Sequence, residues 1–197
     1  MCSQDSIVST TSKFHKVVVE LGIGDGQLLE KVARNQKSTN TCYVGIEIDA
    51  KQIQVASDKL QENNVYLINE SFEKVLSCFP DNYADEFIFV LPPPNYIDRA
   101  KESLWIPFYQ DIYKKLKEKG TLTIVTEITN DLLEPVTDNE FRTWKNWLIC
   151  RFVNLGFMIK ESFDDSPVYY RSQYLEQFRG DRSRIKIITL ILIKPSF

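Results

Sequence analysis

The stretch over residues 17–26, Val-Val-Val-Glu-Leu-Gly-Ile-Gly-Asp-Gly, limits the possible folds of this chain more than any other. An apolar run ends at Glu20-Leu21, glycines follow at 22, 24 and 26, and a helix-like pattern opens at Gln27-Leu28-Leu29. Glycine has no Cβ and tolerates positive φ, so such a turn lets the backbone approach a ligand closely. The stretch therefore predicts a strand, a ligand-facing turn and a helix in direct succession, a local plan shared by several nucleotide-like cofactor sites.

The rest of the chain repeats that alternation. Further apolar, β-branched runs predict strands at Lys16–Leu21, Cys42–Ile48, Val65–Ile68, Glu86–Leu91 and Thr121–Thr126. They are nearly continuous in apolar residues, as parallel strands covered on both faces are. Helical patterns lie between them at Gln27–Asn35, Ala50–Asn63, Ser71–Cys78 and Glu102–Lys119. The last of these puts Leu104, Phe108, Ile112 and Leu116 in one stripe, with Trp105, Tyr109 and Tyr113 beside it. Gly120 stands where a helix-terminating glycine belongs. A helix over Asp138–Leu155 follows, with Asp138 as its N-cap and Phe141, Trp144, Leu148, Phe152 and Leu155 facing inward. Two final strands, from Gly156 and over Arg184–Ile193, have no long helix between them, which suggests an antiparallel hairpin at one edge. The expected architecture is α/β: a doubly wound, mostly parallel, seven-stranded sheet with an antiparallel C-terminal edge strand. Residues 1–15 are expected to be a flexible lead and residues 16–197 a single domain. In an open sheet of this kind the ligand sits beyond the carboxyl ends of the strands.

Composition excludes several classes. No apolar run approaches the roughly 20 residues that span a bilayer. Met1 to Ser12 lacks the order of a secretory signal, so a cytoplasmic protein is expected. Cys2, Cys42, Cys78 and Cys150 form no Cys-x-x-Cys pair, which argues for buried free thiols and against a zinc site. The one histidine, His15, reads as a surface residue, and no Gly-x-Ser-x-Gly elbow exists for hydrolytic chemistry. Net charge is −3, so there is no general field for nucleic acid. Locally, Arg171, Arg179, Arg182, Arg184 and Lys186 stand against only Glu176 and Asp181, among Tyr169, Tyr170, Tyr174 and Phe178. Such a stretch either holds phosphates and stacks bases or is a solvated hairpin. Trp144 and Trp147 read as core or as a dimer face, so monomer and homodimer both stay open.

The glycines run Gly22-x-Gly24-x-Gly26, not in the Gly-x-Gly-x-x-Gly spacing of dinucleotide sites. Glu47 falls 21 positions after Gly26, near the spacing at which an acid meets ribose hydroxyls. A carboxylate accepts two hydroxyl donors well. Asp49 is either an alternative ribose ligand or a helix N-cap. Glu70 either approaches an adenine amino group or is a surface acid, and Phe72 is either a ring-face contact or core. Glu20 either meets the positively charged amino-acid end of a cofactor or stabilises the turn. These details favour S-adenosylmethionine over a dinucleotide.

In this order of features the chain resembles the class I S-adenosylmethionine methyltransferases, with their Rossmann-like sheet. Within them it is most similar to the tRNA (guanine-N7)-methyltransferase family. The resemblance is carried by Gly45-Ile46-Glu47-Ile48, Leu91-Pro92-Pro93-Pro94, Thr126-Glu127 and Ser172-x-Tyr174-x-Glu176. It implies a cofactor site of Glu20, Gly22, Gly24, Gly26, Glu47, Asp49, Glu70, Ser71, Phe72 and Leu91. It implies a guanine site of Pro93, Asn95, Tyr96, Arg99, Thr126, Glu127, Ser172, Tyr174 and Glu176. The partner implied is tRNA or another RNA, with no metal and no membrane. The family's turn reads Pro-Asp-Pro-Trp; here Pro93 stands at the aspartate and Asn95 at the tryptophan. Methyl transfer to guanine N7 needs no proton removed, so Asn95, Tyr96 or Glu127 could hold the ring instead. Two further readings remain: a methyltransferase for a small molecule or protein side chain, and a cofactor-binding partner without catalysis.

Overall fold

Seven strands form one sheet in the order β3-β2-β1-β4-β5-β7-β6 in the computed structural model, which describes residues 3–36, 40–130 and 134–196. The strands are β1 (Lys16–Leu21), β2 (Thr41–Glu47), β3 (Val65–Asn69), β4 (Ala84–Val90), β5 (Leu116–Thr129), β6 (Met158–Asp164) and β7 (Ile185–Ile193). β1 to β5 run parallel, and β7 lies antiparallel between β5 and β6. The expected hairpin at one edge is therefore present, with β6 outermost and the C-terminal β7 inside it. The helices are α1 (Gln4–Thr11), α2 (Gln27–Gln36), α3 (Ala50–Lys59), α4 (Phe72–Cys78), α5 (Glu102–Lys115), α6 (Asp138–Asn154) and α7 (Gln173–Arg179).

The sheet has a core on each face, and period-two alternation assigns side chains to them. Val17, Val19 and Leu21 of β1 enter one core with Phe87, Phe89, Trp105 and Phe152. Val18 enters the other with Tyr43, Ile88, Val125, Tyr170 and Leu175. This double burial explains why β1 reads as an unbroken apolar run.

Several elements differ from the sequence expectation, among them α7, where no helix is expected. α5 stops at Lys115, and Gly120 lies buried within β5 instead of capping the helix. Tertiary pairing wins over helical periodicity here. Leu116 pairs with Ala84, while Lys119 and Gly120 exchange backbone hydrogen bonds with Lys194 at 2.8 and 3.0 Å. The buried stripe of α5 is Trp105, Phe108, Tyr109 and Ile112, and Leu104 is 67% exposed. That set has the i, i+3, i+4, i+7 spacing of a single face. α6 is capped by Thr137, not Asp138: Thr137 and Glu140 form a reciprocal capping box, while Asp138 pairs with Lys186 at 2.6 Å. Finally, the lead carries α1, whose Ile7 and Thr11 are buried and whose Thr11 hydroxyl bonds Tyr83 at 2.7 Å.

Other expectations can be placed directly. His15 is exposed. Cys42 is buried, Cys78 half-buried and Cys150 exposed, so the thiols are not uniformly buried; all three are free, and Cys2 lies outside the described residues. Trp144 and Trp147 pack against the first core. No helix among the described residues is long and apolar enough to cross a membrane.

The turn joining β1 to α2 is locked by packing. Gly26 has φ +78°, and a Cβ there would stand 2.9 Å from both Ala56 Cβ and Leu60 Cδ1. Replacing Gly26 with alanine combines a left-handed backbone with overpacking, and should cost about 2 kcal/mol or more. Thermal unfolding should show Tm lowered by about 4–8 °C; an unchanged Tm would mean that α3 does not press on this turn.

Candidate functional site

A cavity of about 460 Å³ opens beyond the carboxyl ends of β1, β2 and β4. The glycine turn forms its floor, Glu47 to Gln52 one wall, Phe72 and Phe89 to Pro93 another, and residues 170–175 the cover. Parallel register brings this about: Leu21 sits beside Ile46 and Phe89, so three strands end together.

Glu47 is the centre of that convergence. Its two oxygens accept one backbone N–H each, from Gly24 at 2.9 Å and from Asp49 at 3.0 Å. Gly24 has φ +54°, the left-handed conformation that turns its N–H toward the acid. Asn69 on β3 donates to the Glu47 and Ile48 carbonyls, both at 3.0 Å. A carboxylate so held keeps lone pairs for further donors.

Glu20 is 3% exposed, and its Oε2 has no hydrogen-bond partner. Burial, with Asp25 and Glu47 nearby, pushes its carboxyl well above the ordinary range. A buried acid without a partner is costly unless a donor or cation is supplied. Burial would raise Asp25 as well, but hydrogen bonds from Lys59 and Gln27 outweigh it and hold that carboxyl low. The floor of the cavity therefore suits a ligand carrying both a cation and hydroxyl groups.

Of the expected cofactor residues, Glu20, Gly22, Gly24, Glu47, Asp49, Phe72 and Leu91 line this cavity. Gly26 lies buried behind the turn. Asp49 also caps α3, accepting from Lys51 N at 2.8 Å. Phe72 does two things at once, since its ring also packs on Phe89 and Tyr96. Glu70 and Ser71 are not brought to the cavity. Glu70 pairs with Lys74, one helical turn on, and lines a separate hollow of about 410 Å³ between α1 and β3. Ser71 caps α4.

The expected guanine residues gather only in part. Leu91 and Pro93 of the proline-rich turn reach the cavity, as do Ser172 and Tyr174. Leu91 holds φ +52°, a strained conformation for a branched residue, while its N–H bonds Val125 at 2.7 Å. Asn95 accepts from Lys101 at 2.7 Å, and the Tyr96 hydroxyl bonds Glu73 while its ring packs on Phe108. Arg99 lies over the Trp147 ring, and Glu176 is bound to Arg179 at 3.0 Å. Thr126 and Glu127 lie next along β5 without lining the cavity. Each has a buried side-chain oxygen without a partner, and burial pushes the Glu127 carboxyl up to about 7.

The basic stretch is largely neutralised. Arg182 pairs with Asp165, Arg184 with Asp181 and Lys186 with Asp138. Arg179 spans Glu176, the Ser166 hydroxyl and the Pro167 carbonyl. Sequence reasoning missed Gln27, Gln52, Tyr170, Arg171 and Leu175 as cavity residues. The aromatic and basic composition around Tyr170 was the available signal, but only the fold shows that it covers the glycine turn.

The profile of the methyltransferase family Methyltransf_4 matches residues 15–145. The chain belongs to this methyltransferase family. A curated tRNA (guanine-N(7)-)-methyltransferase of Campylobacter fetus subsp. fetus (strain 82-40) is 23% identical over 176 residues. That alignment spans 86% of this chain and 41% of the relative, so the chain covers less than half of that protein. Among solved structures, the 16S rRNA methyltransferase KamB matches with TM-score 0.73 at 14% identity, over 99% of this chain and 95% of that one. A variant of the 16S rRNA (adenine(1408)-N(1))-methyltransferase from Catenulisporales acidiphilia, solved with cosubstrate SAM, matches with TM-score 0.66 at 14% identity. It is covered over 92% of its chain and covers 98% of this one. At these identities the solved structures speak for the fold.

Glu127 also makes the stability of this methyltransferase-family chain depend on pH. Its unfolded form ionises near 4.5 and its folded form near 7. The folded state thus holds the extra proton between those values, and stability falls as pH rises through that window. Glu127→Gln should remove this loss, leaving the protein about 2–3 kcal/mol more stable at pH 8 and nearly unchanged at pH 4.5. Urea unfolding at the two pH values measures the difference; equal shifts at both would count against a buried acid at this position.

Proposed function

We propose that the protein binds S-adenosylmethionine in the cavity above the glycine turn and transfers its methyl group to an RNA base, guanine N7 of tRNA. The observation that carries the cofactor reading is the buried, unpartnered oxygen of Glu20 beside the backbone-clamped carboxylate of Glu47. The first suits the α-ammonium of the cofactor's amino-acid end. The second keeps acceptor capacity for the two ribose hydroxyls. Phe72 offers a ring where the adenine would lie. These residues fit the group, and family membership supports the same reading.

When bound, the cofactor would supply a methyl carbon on a sulfonium, open to direct attack by a lone pair, with the S–C bond breaking as the new N–C bond forms and a neutral thioether leaving. Guanine N7 carries such a lone pair and no proton, so the chain needs no general base. Its task is alignment and exclusion of water, and correct positioning can supply roughly 7–11 kcal/mol of the barrier. Leu91, Pro93, Ser172 and Tyr174 border the cavity. Tyr174 is 67% exposed and presents a ring face on which a base can stack. As the ring takes up the methyl group it gains the positive charge that the sulfur loses. The tRNA and guanine parts of the proposal are supported by the curated relative and by the motifs at Glu127 and Ser172–Glu176.

A second reading, an acceptor that is a small molecule or protein side chain, is favoured by one observation. Most of the C-terminal cations are spent on ion pairs, and the net charge is −3. A non-catalytic binding partner is the third, favoured by Pro93 at the family's aspartate position.

Titration calorimetry should show S-adenosylmethionine binding, weakened at least about tenfold in Glu47→Ala. Nucleoside mass spectrometry after incubation with tRNA should then show 7-methylguanosine. Absence of cofactor binding at millimolar concentration overturns the whole proposal. Unmodified RNA beside a methylated small molecule or protein supports the second reading, and binding without turnover on any pool supports the third.

A further inference from the structure

The cavity wall carries four carboxylates, from Glu20, Asp25, Glu47 and Asp49, of which Asp25 is paired with Lys59 at 2.7 Å from outside the lining; among the described residues that line the cavity, Arg171 is the one cation. Of the five basic residues between 167 and 186, four are ion-paired. Arg171 is exposed and makes no hydrogen bond or ion pair with any described residue. Its position is nevertheless well held. Tyr170 beside it is 5% exposed, packs in the second core with Leu175, and donates its N–H to Pro167 at 2.9 Å. Ser172 on the other side caps α7 through Leu175 N at 3.2 Å. Arg179 ties down the preceding turn through Ser166 and Pro167, each at 2.7 Å. Tyr170 and Glu20 line the same cavity. Arg171 thus lines the cavity that holds Glu20, between a packed ring and a helix cap.

The amino-acid end of S-adenosylmethionine is a zwitterion. Glu20 can answer its ammonium, but its carboxylate must enter a space lined by Glu20, Glu47 and Asp49, none of which is ion-paired with a described residue. That is repulsive unless a cation faces it, and a guanidinium matches a carboxylate with two parallel hydrogen bonds. We infer that Arg171 binds the carboxylate of the cofactor, so that the cover segment and the glycine turn hold the two charges of the zwitterion from opposite sides. The inference rests on the reading of this cavity as an S-adenosylmethionine site. It also gives the cover a role in choosing the ligand, since adenosine compounds without the carboxylate would gain nothing from Arg171.

The test compares S-adenosylmethionine with decarboxylated S-adenosylmethionine, which keeps the sulfonium and the amine. Calorimetry would be run on the wild-type protein, Arg171→Ala and Arg171→Lys. Arg171→Ala should weaken S-adenosylmethionine about tenfold or more and change the decarboxylated ligand less than about twofold. Arg171→Lys should recover part of the loss, as a point charge without the fork does. Equal losses for both ligands, or no loss for either, would overturn the inference while leaving the cofactor reading intact. Unchanged S-adenosylmethionine affinity with weakened tRNA binding would overturn it in favour of a phosphate contact. A wild-type protein that binds neither ligand would remove the cofactor reading, and this inference with it.

Discussion

The Glu47 carboxylate, clasped by the Gly24 and Asp49 amides, is the interaction on which the site depends. It joins the glycine turn after β1 to the tip of β2, and Asn69 extends the joint to β3. Gly22 and Ile23 also donate to the Ile46 carbonyl, at 2.9 and 3.0 Å. The ends of β1, β2 and β3 are thereby held level, and with β4 paired beside β1 the space above β1, β2 and β4 becomes a cavity with a defined floor. The left-handed turn is what makes the clasp possible, because it directs the Gly24 N–H sideways to β2 and not up its own helix. α3 then closes against Gly26, so the turn cannot relax without moving a helix.

Charge is arranged around that frame in a way that stability alone would not select. Glu20 is buried with an unpartnered oxygen and two other acids nearby, and burial drives its carboxyl upward. Glu127 and Thr126 add further unpartnered oxygens at the end of β5. Polar groups of this kind weaken a core unless something else satisfies them. They cluster where the strands end, which is where an open parallel sheet receives its ligand. The C-terminal segment covers the same region, riveted by Arg179 and capped by Ser172. The acids come from the first half of the chain and the cover from the last 30 or so residues.

Much of this was legible in the amino-acid order. β1 matches its expected span residue for residue, and the other parallel strands were placed to within a few residues at most ends, because runs buried on both faces are unbroken. The turn glycines and Glu47 were legible too, since local spacing alone sets how far apart a turn and the next strand tip can lie. What failed were features decided by neighbours distant in sequence. The end of α5 was misplaced because Leu116 to Gly120 answer to Ala84 and Lys194. Asp138 reads as a cap in the sequence because its partner, Lys186, is 48 positions away. The C-terminal cations looked free because Asp165 and Asp138 come to them only through β6, β7 and α6.

By itself, then, the sequence determined the order of strands and helices, the glycine turn and the acid facing it. Those are set by backbone sterics and by apolar periodicity within short windows. The tertiary structure decided which polar groups remain without partners: Glu20 and Arg171 are left over, whereas Glu70, Asn95 and Glu176 are consumed by Lys74, Lys101 and Arg179. The reason is physical. Whether a charge is available to a ligand depends on every neighbour that folding brings to it, and a linear order of residues does not contain that list.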